Sequence, residues 1–383
     1  MKLGSEVFLQ TYTQKYQEAR IGLMSNLTGV NHNLESTIDL FAHHDDIQLT
    51  ALYGPEHGIR GDAKEGELID SSIDAYTGLP VFSLYNKNKK PDKEMLASID
   101  LIFCDLQDVG VRYYTFIYTL ANMMKLCGEQ GIPIVVLDRP NPINGVGIEG
   151  NIVEDGFESF VGQFPIPVRH GLTIGELALL FKHEFQIPCN LDVIPMSGWS
   201  RKDYFDDTDL YWVSPTPNAT NLNMCLLYSG TCLLEGTNIS EGRGTTKPFE
   251  MLGAPFVNGR ELAEELAEYN IEGVLFRPTF FKPQYQKYAG KVCEGVQIHI
   301  TDRTKINAFY LGITVIKTMH NLYPNEFQFT KSADFNNRFF LDLLAGTDNL
   351  RKQVLKGDTS EFFNRMSYET EAFRLSREKY LLY

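Results

Sequence analysis

Five short apolar runs divide the first 145 residues of the chain. Each run is nearly continuous, and each breaks off into a polar loop that contains glycine, proline or asparagine. Runs of this length without alternation are typical of strands buried on both faces of a parallel sheet. They span residues 20–24, 47–53, 79–84, 101–106 and 132–137, and residues 191–194 could add a sixth strand.

Helical patterns lie between these runs. Apolar residues recur at helical spacing from Phe116 to Cys127 and stop at Gly128 and Gly131, as expected where a helix ends in glycine. Thr173 and Glu176 have the spacing of a capping box at the start of a second apolar helical run. Alternating strands and helices predict a doubly wound α/β domain built on a parallel sheet.

After about residue 230 the pattern changes. Residues 296–300 alternate between apolar and polar, which is typical of a strand with one face in solvent. Helical stretches follow at 306–322, 335–344 and 350–355. Because 383 residues exceed what one ordinary core supports, we predict two domains. The first covers residues 1–229, and a smaller α+β domain covers residues 230–383.

Net charge and composition exclude several classes of protein. A formal net charge of −14 argues against nucleic-acid binding, which needs clustered Lys and Arg. No apolar stretch reaches the roughly 20 residues that span a bilayer. Residues 1–20 show no basic leader followed by an apolar core, so we expect a cytoplasmic protein; a secreted or periplasmic chain trimmed of its leader would read the same way. The six cysteines form no C-x-x-C pair and are expected to be buried thiols.

One loop combines three chemically active side chains with glycines at 54, 58 and 61. Glu56, His57 and Arg60 follow the second apolar run, and ligands bind beyond the carboxyl ends of parallel strands, where such loops converge. A glutamate in that position can act as a general acid or base. Alternatively, Glu56 pairs with Arg60 or caps a helix.

A second candidate loop, residues 107–114, follows the fourth run. Asp108 lies just beyond the predicted strand, and Tyr113 and Tyr114 offer flat, amphipathic surfaces of the kind on which sugar rings stack. In the alternative interpretation Asp108 and Arg112 form a structural ion pair and the tyrosines belong to the core.

Three further loops carry polar side chains. Residues 236–246 interleave polar groups with three glycines, which predicts either the wall of a cleft or an ordinary connector. Residues 165–171 and 215–218 are proline-rich, and Arg169 could hold an anionic group there by a bidentate contact. Both proline-rich loops also have an adequate explanation as rigid turns.

The motifs of several other chemistries are missing from the sequence. It contains no G-x-G-x-x-G after the first strand and no G-x-x-x-x-G-K-[ST], so nucleotide binding lacks its phosphate cradle. It also lacks the G-x-S-x-G elbow of serine hydrolases and the H-E-x-x-H metal pattern. We therefore predict neither a cofactor nor a metal.

The ordered set of loops resembles the bacterial exo-β-N-acetylmuramidases, a family long catalogued as a domain of unknown function. The resemblance spans both predicted domains. The matching segments are residues 22–30, 54–61, 66–67, 77–85, 105–118, 138–144, 165–176, 212–218 and 230–255.

The resemblance implies a Rossmann-like N-terminal domain, a smaller C-terminal domain and an active-site cleft between them. It also implies a glycosidase that releases N-acetylmuramic acid from the non-reducing end of peptidoglycan fragments. Glu56 matches the family's proposed catalytic glutamate. Its partner is predicted to be Asp108 or Glu241, with Glu65 and Glu67 behind them.

The residues fit this chemistry independently. Glycoside cleavage needs an acid that protonates the leaving oxygen and a second group that attacks or stabilises the anomeric carbon. Muramic acid carries a lactyl carboxylate, so an acidic protein must supply local cations to bind it. The predicted substrate-binding residues are Asn26, His57, Arg60, Arg112, Tyr113, Tyr114, Arg139, Arg169, His170, Asn218, Asn238 and Arg243.

Two other functions remain open at this level. A non-catalytic module would capture a cell-wall sugar in the same cleft and use Glu56 only to bind hydroxyls. A metal-assisted amidase would use His57 and His170, although their spacing is not that of known zinc ligands. The 2-acetamido group of the sugar could itself act as the nucleophile, so the stereochemical outcome stays open, as does the oligomeric state.

Overall fold

A seven-stranded, mostly parallel sheet forms the centre of the N-terminal part of the chain. The computed structural model describes residues 1–55, 58–61, 72–84 and 93–383. The strands, numbered along the chain, are β1 (Arg20–Ser25), β2 (Gln48–Gly54), β3 (Ser72–Ile73), β4 (Pro80–Ser83), β5 (Leu101–Asp105), β6 (Ile134–Leu137) and β7 (Leu191–Ile194). They are ordered β3-β4-β2-β1-β5-β6-β7 in space, and only β3 is antiparallel to its neighbour.

Both faces of this sheet are covered, because alternate residues of each strand enter different apolar cores. One core packs strand residues such as Ile21 and Phe103 against the helices α1 (Gly4–Thr11) and α2 (Thr37–Ala42). The other packs strand residues such as Met24 and Cys104 against α3 (Phe116–Gln130) and α4 (Ile174–His183). The predicted doubly wound α/β architecture is therefore confirmed, with strands at all six predicted positions.

The direction in which strands are added reverses beside β1. From β1 the chain moves outward through β2 to β4, and it then returns to place β5, β6 and β7 on the opposite side of β1. In open α/β sheets, ligands bind outside the carboxyl ends of the strands at such a reversal. The crevice between the ends of β1 and β5 is therefore the first place to look for a site.

The C-terminal part contains a smaller antiparallel sheet and most of the remaining helices. Its strands are β8 (Met251–Ala254), β9 (Val274–Phe281) and β10 (Cys293–Ile300), with β10 in the middle, and β11 (Lys331–Ser332) pairs with β12 (Arg338–Phe339). Its helices are α5 (Leu222–Thr231), α6 (Gly259–Glu268), α7 (Ala308–Leu322), α8 (Phe340–Ala345), α9 (Asn349–Lys356) and α10 (Ser360–Arg377).

Helices α5 and α7 pack at unusually close range. A Cβ atom on Gly230 would lie 1.7 Å from the Ala308 carbonyl oxygen, and one on Gly312 would lie 2.2 Å from the Gly230 oxygen, so only glycine fits at both positions. The predicted division between residues 229 and 230 falls within α5 and stays a prediction. Among the described residues no helix is both long and apolar enough to cross a membrane.

Candidate active site

Buried polar side chains follow β1 and β5 at the crevice where strand order reverses. Thr28 Oγ1 donates to Asn26 Oδ1 (2.5 Å) and accepts from the Gln107 N–H (3.2 Å), so the two loops are tied together. The Gln107 amide nitrogen donates to the carbonyls of Asp108 (2.9 Å) and Pro140 (2.8 Å), which fixes the orientation of the amide. Gln107 Oε1 and Asn26 Nδ2 have no hydrogen-bond partner within the described part of the chain.

A small pocket opens over this crevice. Its floor carries polar side chains from the loops after β1, β5 and β6, including Thr28, Gln107 and Arg139. Its wall is formed by the segment 205–213, which contributes Phe205 and Tyr211. Gln107 and Tyr211 were not among the predicted site residues; for Gln107, its position beside Asp108 in the sequence was the available signal.

Asp108, a predicted catalytic residue, lies buried at the end of β5. Its Oδ2 accepts from the Gly110 N–H (2.7 Å) and lies 3.4 Å from His170 Nε2. His170 Nδ1 accepts from the Leu172 N–H (3.1 Å), so the ring proton is on Nε2 and faces the carboxylate. Asp108 Oδ1 has no hydrogen-bond donor among the residues described. Asp108 and His170, which were predicted separately as a catalytic and a substrate-binding residue, are thus brought together, with one carboxylate oxygen unused.

His170 itself is fully buried. Its placement argues against the predicted direct contact with substrate, and against the alternative in which it ligates a metal, because Nδ1 already accepts from the backbone and Nε2 faces Asp108. It is better placed to orient the Asp108 carboxylate than to touch a ligand.

Two charged side chains at the carboxyl ends of β5 and β6 form a closed ion pair. The Arg139 guanidinium binds both oxygens of Asp105, one from Nε and the other from Nη2 at 3.0 Å, and Nη2 also donates to the Val30 carbonyl (3.0 Å). Thr37 donates to the same carboxylate (2.6 Å). Arg139 therefore lines the pocket as predicted for a site residue, but its charge is already neutralised.

Asp138, which directly follows β6 and precedes Arg139, is also a fully occupied carboxylate. Its Oδ1 accepts from the Gly175 N–H at the start of α4, and its Oδ2 accepts from the hydroxyls of Thr173 and Tyr383, each at 2.7 Å. Burial raises the pKa of Asp138 to about 7, against the lowering effect of these hydrogen bonds.

Arg112 lies in the interior, away from any cleft. Its guanidinium donates to four backbone carbonyls, those of Asn151 (2.5 Å), Ile166 (2.8 Å), Leu344 (2.9 Å) and Ala345 (3.1 Å). Arg112 is fully buried and holds the C-terminal helices against the N-terminal loops. This placement argues against the predicted contact between Arg112 and a substrate, and against an Asp108–Arg112 ion pair.

The two tyrosines of the same loop belong to the core. Tyr113 packs edge-on against Tyr228 (ring centroids 6.1 Å apart), and Tyr114 packs against Phe116 (4.8 Å). Burial raises the pKa of Tyr113 well above its usual value. Both are buried, so the structure favours the interpretation as core aromatics over that as sugar platforms.

Arg169 forms a buried ion pair with Glu149, and Glu149 also contacts the C-terminal part of the chain. Its Nη1 donates to Glu149 Oε1 (2.6 Å), its Nη2 donates to the Ile143 carbonyl, and Glu149 Oε2 accepts the Phe309 N–H in the first turn of α7 (3.1 Å). The predicted bidentate contact of Arg169 with an anionic ligand is therefore replaced by an internal carboxylate.

The loop 236–246 contains a charged cluster. Glu241, the other predicted catalytic candidate, lies 3.0 Å from Lys287 Nζ and 3.5 Å from Arg243 Nε. Arg243 also binds Glu235 (2.8 Å), and Lys287 donates to three backbone carbonyls, those of Leu234, Glu235 and Ile239. Both oxygens of Glu241 thus face cations.

The remaining predicted residues are also engaged in contacts. Asn238 bonds to the backbone of Glu326 and Gln328, and Asn218 accepts from the Tyr285 hydroxyl (3.0 Å). Arg60 bridges Asp74 and Asp39, which together raise its pKa, with Asp74 as the larger cause. The alternative Glu56–Arg60 pair, like the other predictions for Glu56, His57, Glu65 and Glu67, lies outside the described residues.

Comparison with known proteins gives the family. Models of the N-terminal and C-terminal parts of the exo-β-N-acetylmuramidase NamZ match residues 21–223 and 226–383. The chain is 48% identical to the peptidoglycan β-N-acetylmuramidase NamZ of Bacillus subtilis strain 168, over 100% of this chain and 91% of that protein.

Two crystal structures of DUF1343 family proteins from Bacteroides fragilis NCTC 9343 have the same fold. One has a TM-score of 0.92 at 38% identity, and the other a TM-score of 0.79 at 32% identity. Each comparison covers 100% of this chain and 98% of the other. The resemblance predicted from the loops is confirmed, and the chain belongs to the exo-β-N-acetylmuramidase family.

Proposed function

We propose that this chain is a glycosidase that releases N-acetylmuramic acid from the non-reducing end of peptidoglycan fragments. The observation that carries the proposal is the 48% identity, over the whole of this chain, with a peptidoglycan β-N-acetylmuramidase. A pocket at the strand-order reversal, lined by Gln107 next to the buried Asp108 in sequence, supports it, since this is where α/β sheets bind ligands.

Two carboxylates carry the chemistry in this proposal. Glu56 acts as the general acid that protonates the departing oxygen, a role assigned from its place in the sequence directly after β2. Asp108 supplies negative charge near the anomeric carbon or positions the 2-acetamido group. Its unused Oδ1 and its orientation by Gly110 and His170 suit either role. Glu241 is assigned a structural role, because Lys287 and Arg243 hold it.

The lactyl carboxylate needs a donor of its own. The five arginines predicted to bind it, Arg60, Arg112, Arg139, Arg169 and Arg243, all contact internal carboxylates or carbonyls. A ligand carboxylate would have to share one of these cations with its present partner. We therefore expect backbone N–H groups to contribute to lactyl recognition.

The experiment is turnover by Glu56→Gln on two substrates. A disaccharide with a sugar leaving group needs protonation of a poor leaving oxygen, so kcat should fall about 10²–10⁴-fold. A nitrophenyl muraminide has a much better leaving group, so its loss should be clearly smaller. Glu264→Gln, an exposed carboxylate on α6, is the matched control and should turn over both substrates like the unaltered protein.

Two results would overturn the proposal. Turnover of the disaccharide within a few fold of the unaltered protein would remove Glu56 from the acid role. Thermal stabilisation of the unaltered protein by the disaccharide, with no product after long incubation, would favour the non-catalytic sugar-binding module instead.

We propose separately that the protein is cytoplasmic. All six cysteines are buried free thiols, which suits a reducing cytoplasm. Cell fractionation of the native host tests it: recovery of the activity in the soluble cytoplasmic fraction would support the proposal, and recovery outside the cytoplasmic membrane would overturn it.

A further inference from the structure

The pocket at the strand-order reversal has a floor that offers one fixed acceptor. Gln107 is buried, and both bonds of its amide nitrogen go to backbone carbonyls, so the amide cannot flip without losing them. Gln107 lines the pocket, and its Oε1 has no donor among the described residues. An unpaired buried acceptor costs free energy, and a ligand hydroxyl or amide N–H would recover it.

The opposite wall presents an exposed aromatic ring on a rigid segment. Tyr211 is 65% exposed, yet the segment around it is fixed at several points. The Phe205 N–H donates to the Pro142 carbonyl (3.0 Å), and the Trp212 indole donates to the Ala219 carbonyl (3.1 Å).

Charged contacts hold the same segment from two directions. Asp209 lies 3.1 Å from His32 Nε2, and Arg303 binds both Asp206 and Asp207, the latter at 2.7 Å. An exposed aromatic ring held in place in this way is suited to stacking on the apolar face of a sugar, with little ordering cost on binding.

The electrostatics of the pocket favour a neutral ligand. Its arginine, Arg139, is already paired with both oxygens of Asp105 and with the Val30 carbonyl. An anionic sugar would therefore meet a neutral ion pair rather than a spare positive charge.

The pocket also lies to one side of the loop that carries the assigned acid. Its floor comes from the loops after β1, β5 and β6, whereas Glu56 follows β2, which is separated from β5 by β1. Two strand spacings amount to about 10 Å. A ligand that extends across the ends of these strands would therefore place different sugars near β2 and near β5.

We propose that this pocket binds the neutral 2-acetamido sugar on the leaving-group side of the bond that is cleaved. Tyr211 stacks on its ring, and Gln107 Oε1 accepts a hydrogen bond from one of its hydroxyls or from its amide N–H. The lactyl-bearing sugar lies towards the loop after β2. This inference rests on the proposed function and adds the subsite to it.

The kinetic test compares two substrates that share the muramic acid unit. One is the disaccharide with the neutral amino sugar as leaving group, and the other is N-acetylmuraminyl fluoride, whose leaving group cannot reach Tyr211. For Tyr211→Ala the ratio of kcat/KM on the disaccharide to that on the fluoride should fall on the order of tenfold. Tyr211→Phe should largely restore the ratio. Tyr368→Ala, which removes a ring that is 79% exposed on α10, should leave it unchanged.

Binding to the unaltered protein gives a second readout that needs no turnover. Methyl β-N-acetylglucosaminide, followed by saturation-transfer NMR, should bind the unaltered protein and Tyr368→Ala but bind Tyr211→Ala much more weakly. Excess N-acetylmuramic acid should not displace it, because the two sugars occupy different subsites.

Three outcomes would overturn the inference. Unchanged kcat/KM on both substrates in Tyr211→Ala would show that the wall does not contact the leaving sugar. Equal losses on both substrates, or displacement of the probe by N-acetylmuramic acid, would place the lactyl-bearing sugar in this pocket. Failure of the unaltered protein to cleave either substrate is a different result, since it contradicts the proposed function rather than the subsite.

Discussion

The loop after β5 and the loop 236–246 carry similar side chains but use them differently. Each offers a buried carboxylate, Asp108 in the first and Glu241 in the second. Asp108 receives one backbone N–H and lies 3.4 Å from His170 Nε2, and its second oxygen is unused by the described residues. Glu241 has a lysine at one oxygen and an arginine at the other.

The difference separates a candidate site from a scaffold. A carboxylate held by two cations stabilises the loop in which it lies but has little capacity left for a ligand. A carboxylate with an unpaired oxygen carries a desolvation cost that folding alone does not offset. Such costs persist at functional sites because the substrate supplies the missing partner. For these two carboxylates, unused hydrogen-bonding capacity separates the candidate site residue from the structural one, which residue type does not.

The largest expected effect is on activity at Asp108. Asp108→Asn keeps the shape of the side chain and an acceptor for the Gly110 N–H but removes the negative charge. Because the transition state of glycoside cleavage carries positive charge on the sugar, kcat on the disaccharide should fall about 10²–10⁴-fold. Steady-state kinetics together with thermal unfolding check this. If the variant is less stable but each folded molecule turns over normally, Asp108 is a structural carboxylate, and the contrast with Glu241 is wrong.

The matched change in the loop 236–246 should lower stability rather than activity. Glu241→Gln leaves Lys287 and Arg243 without their shared carboxylate, and breaking a buried pair costs about 3–5 kcal/mol. We expect the lower end, about 3 kcal/mol in the free energy of unfolding, because Lys287 keeps three backbone carbonyls. Urea unfolding measures it. A stable variant with turnover reduced as far as in Asp108→Asn would make Glu241 catalytic.

Much of the fold could be predicted because buried parallel strands have a recognisable sequence pattern. All six apolar runs became strands, since burial on both faces requires continuous apolar residues. The predicted helix 306–322 corresponds to α7, and the start of the predicted helix 335–344 is replaced by β12. Helix α10 was missed because only Phe362, Phe373 and Arg377 are buried along its 18 residues, which leaves no clear apolar periodicity.

The site could be predicted only as a set of loops. The arginines were correctly recognised as cations in polar loops, but nothing in the sequence indicated which carboxylates they contact. Arg169 pairs with a glutamate 20 residues away, and Arg139 with an aspartate 34 residues away. Glu241 meets a lysine 46 residues away. Which charges are already neutralised is decided by tertiary packing, so residue type alone overestimated the number of free cations.

A third carboxylate, Asp138, extends the comparison to the next strand. It lies at the same edge of the sheet as Asp108, but its oxygens are occupied by Gly175, Thr173 and Tyr383. Burial raises its pKa to about 7, so the folded protein holds this proton more tightly than the unfolded chain, where an aspartate has a pKa of about 3.9. The stability that this group contributes is therefore present below pH 3.9 and is lost as the pH rises to about 7.

Asp138→Asn should remove that pH dependence, because an amide does not titrate. From pH 5 to pH 8 the free energy of unfolding of the variant, relative to that of the unaltered protein, should rise by about 2–3 kcal/mol. Any cost of placing an amide beside the hydroxyls of Thr173 and Tyr383 is the same at each pH and does not affect this shift. Urea unfolding at each pH measures the shift, with Asp155→Asn as an exposed control whose stability should parallel that of the unaltered protein. If the curves for Asp138→Asn and the unaltered protein also run parallel, Asp138 is ionised throughout. Asp138 would then be a buried charged carboxylate like Asp108, although its oxygens are occupied. Unused oxygens would in that case no longer distinguish the two residues.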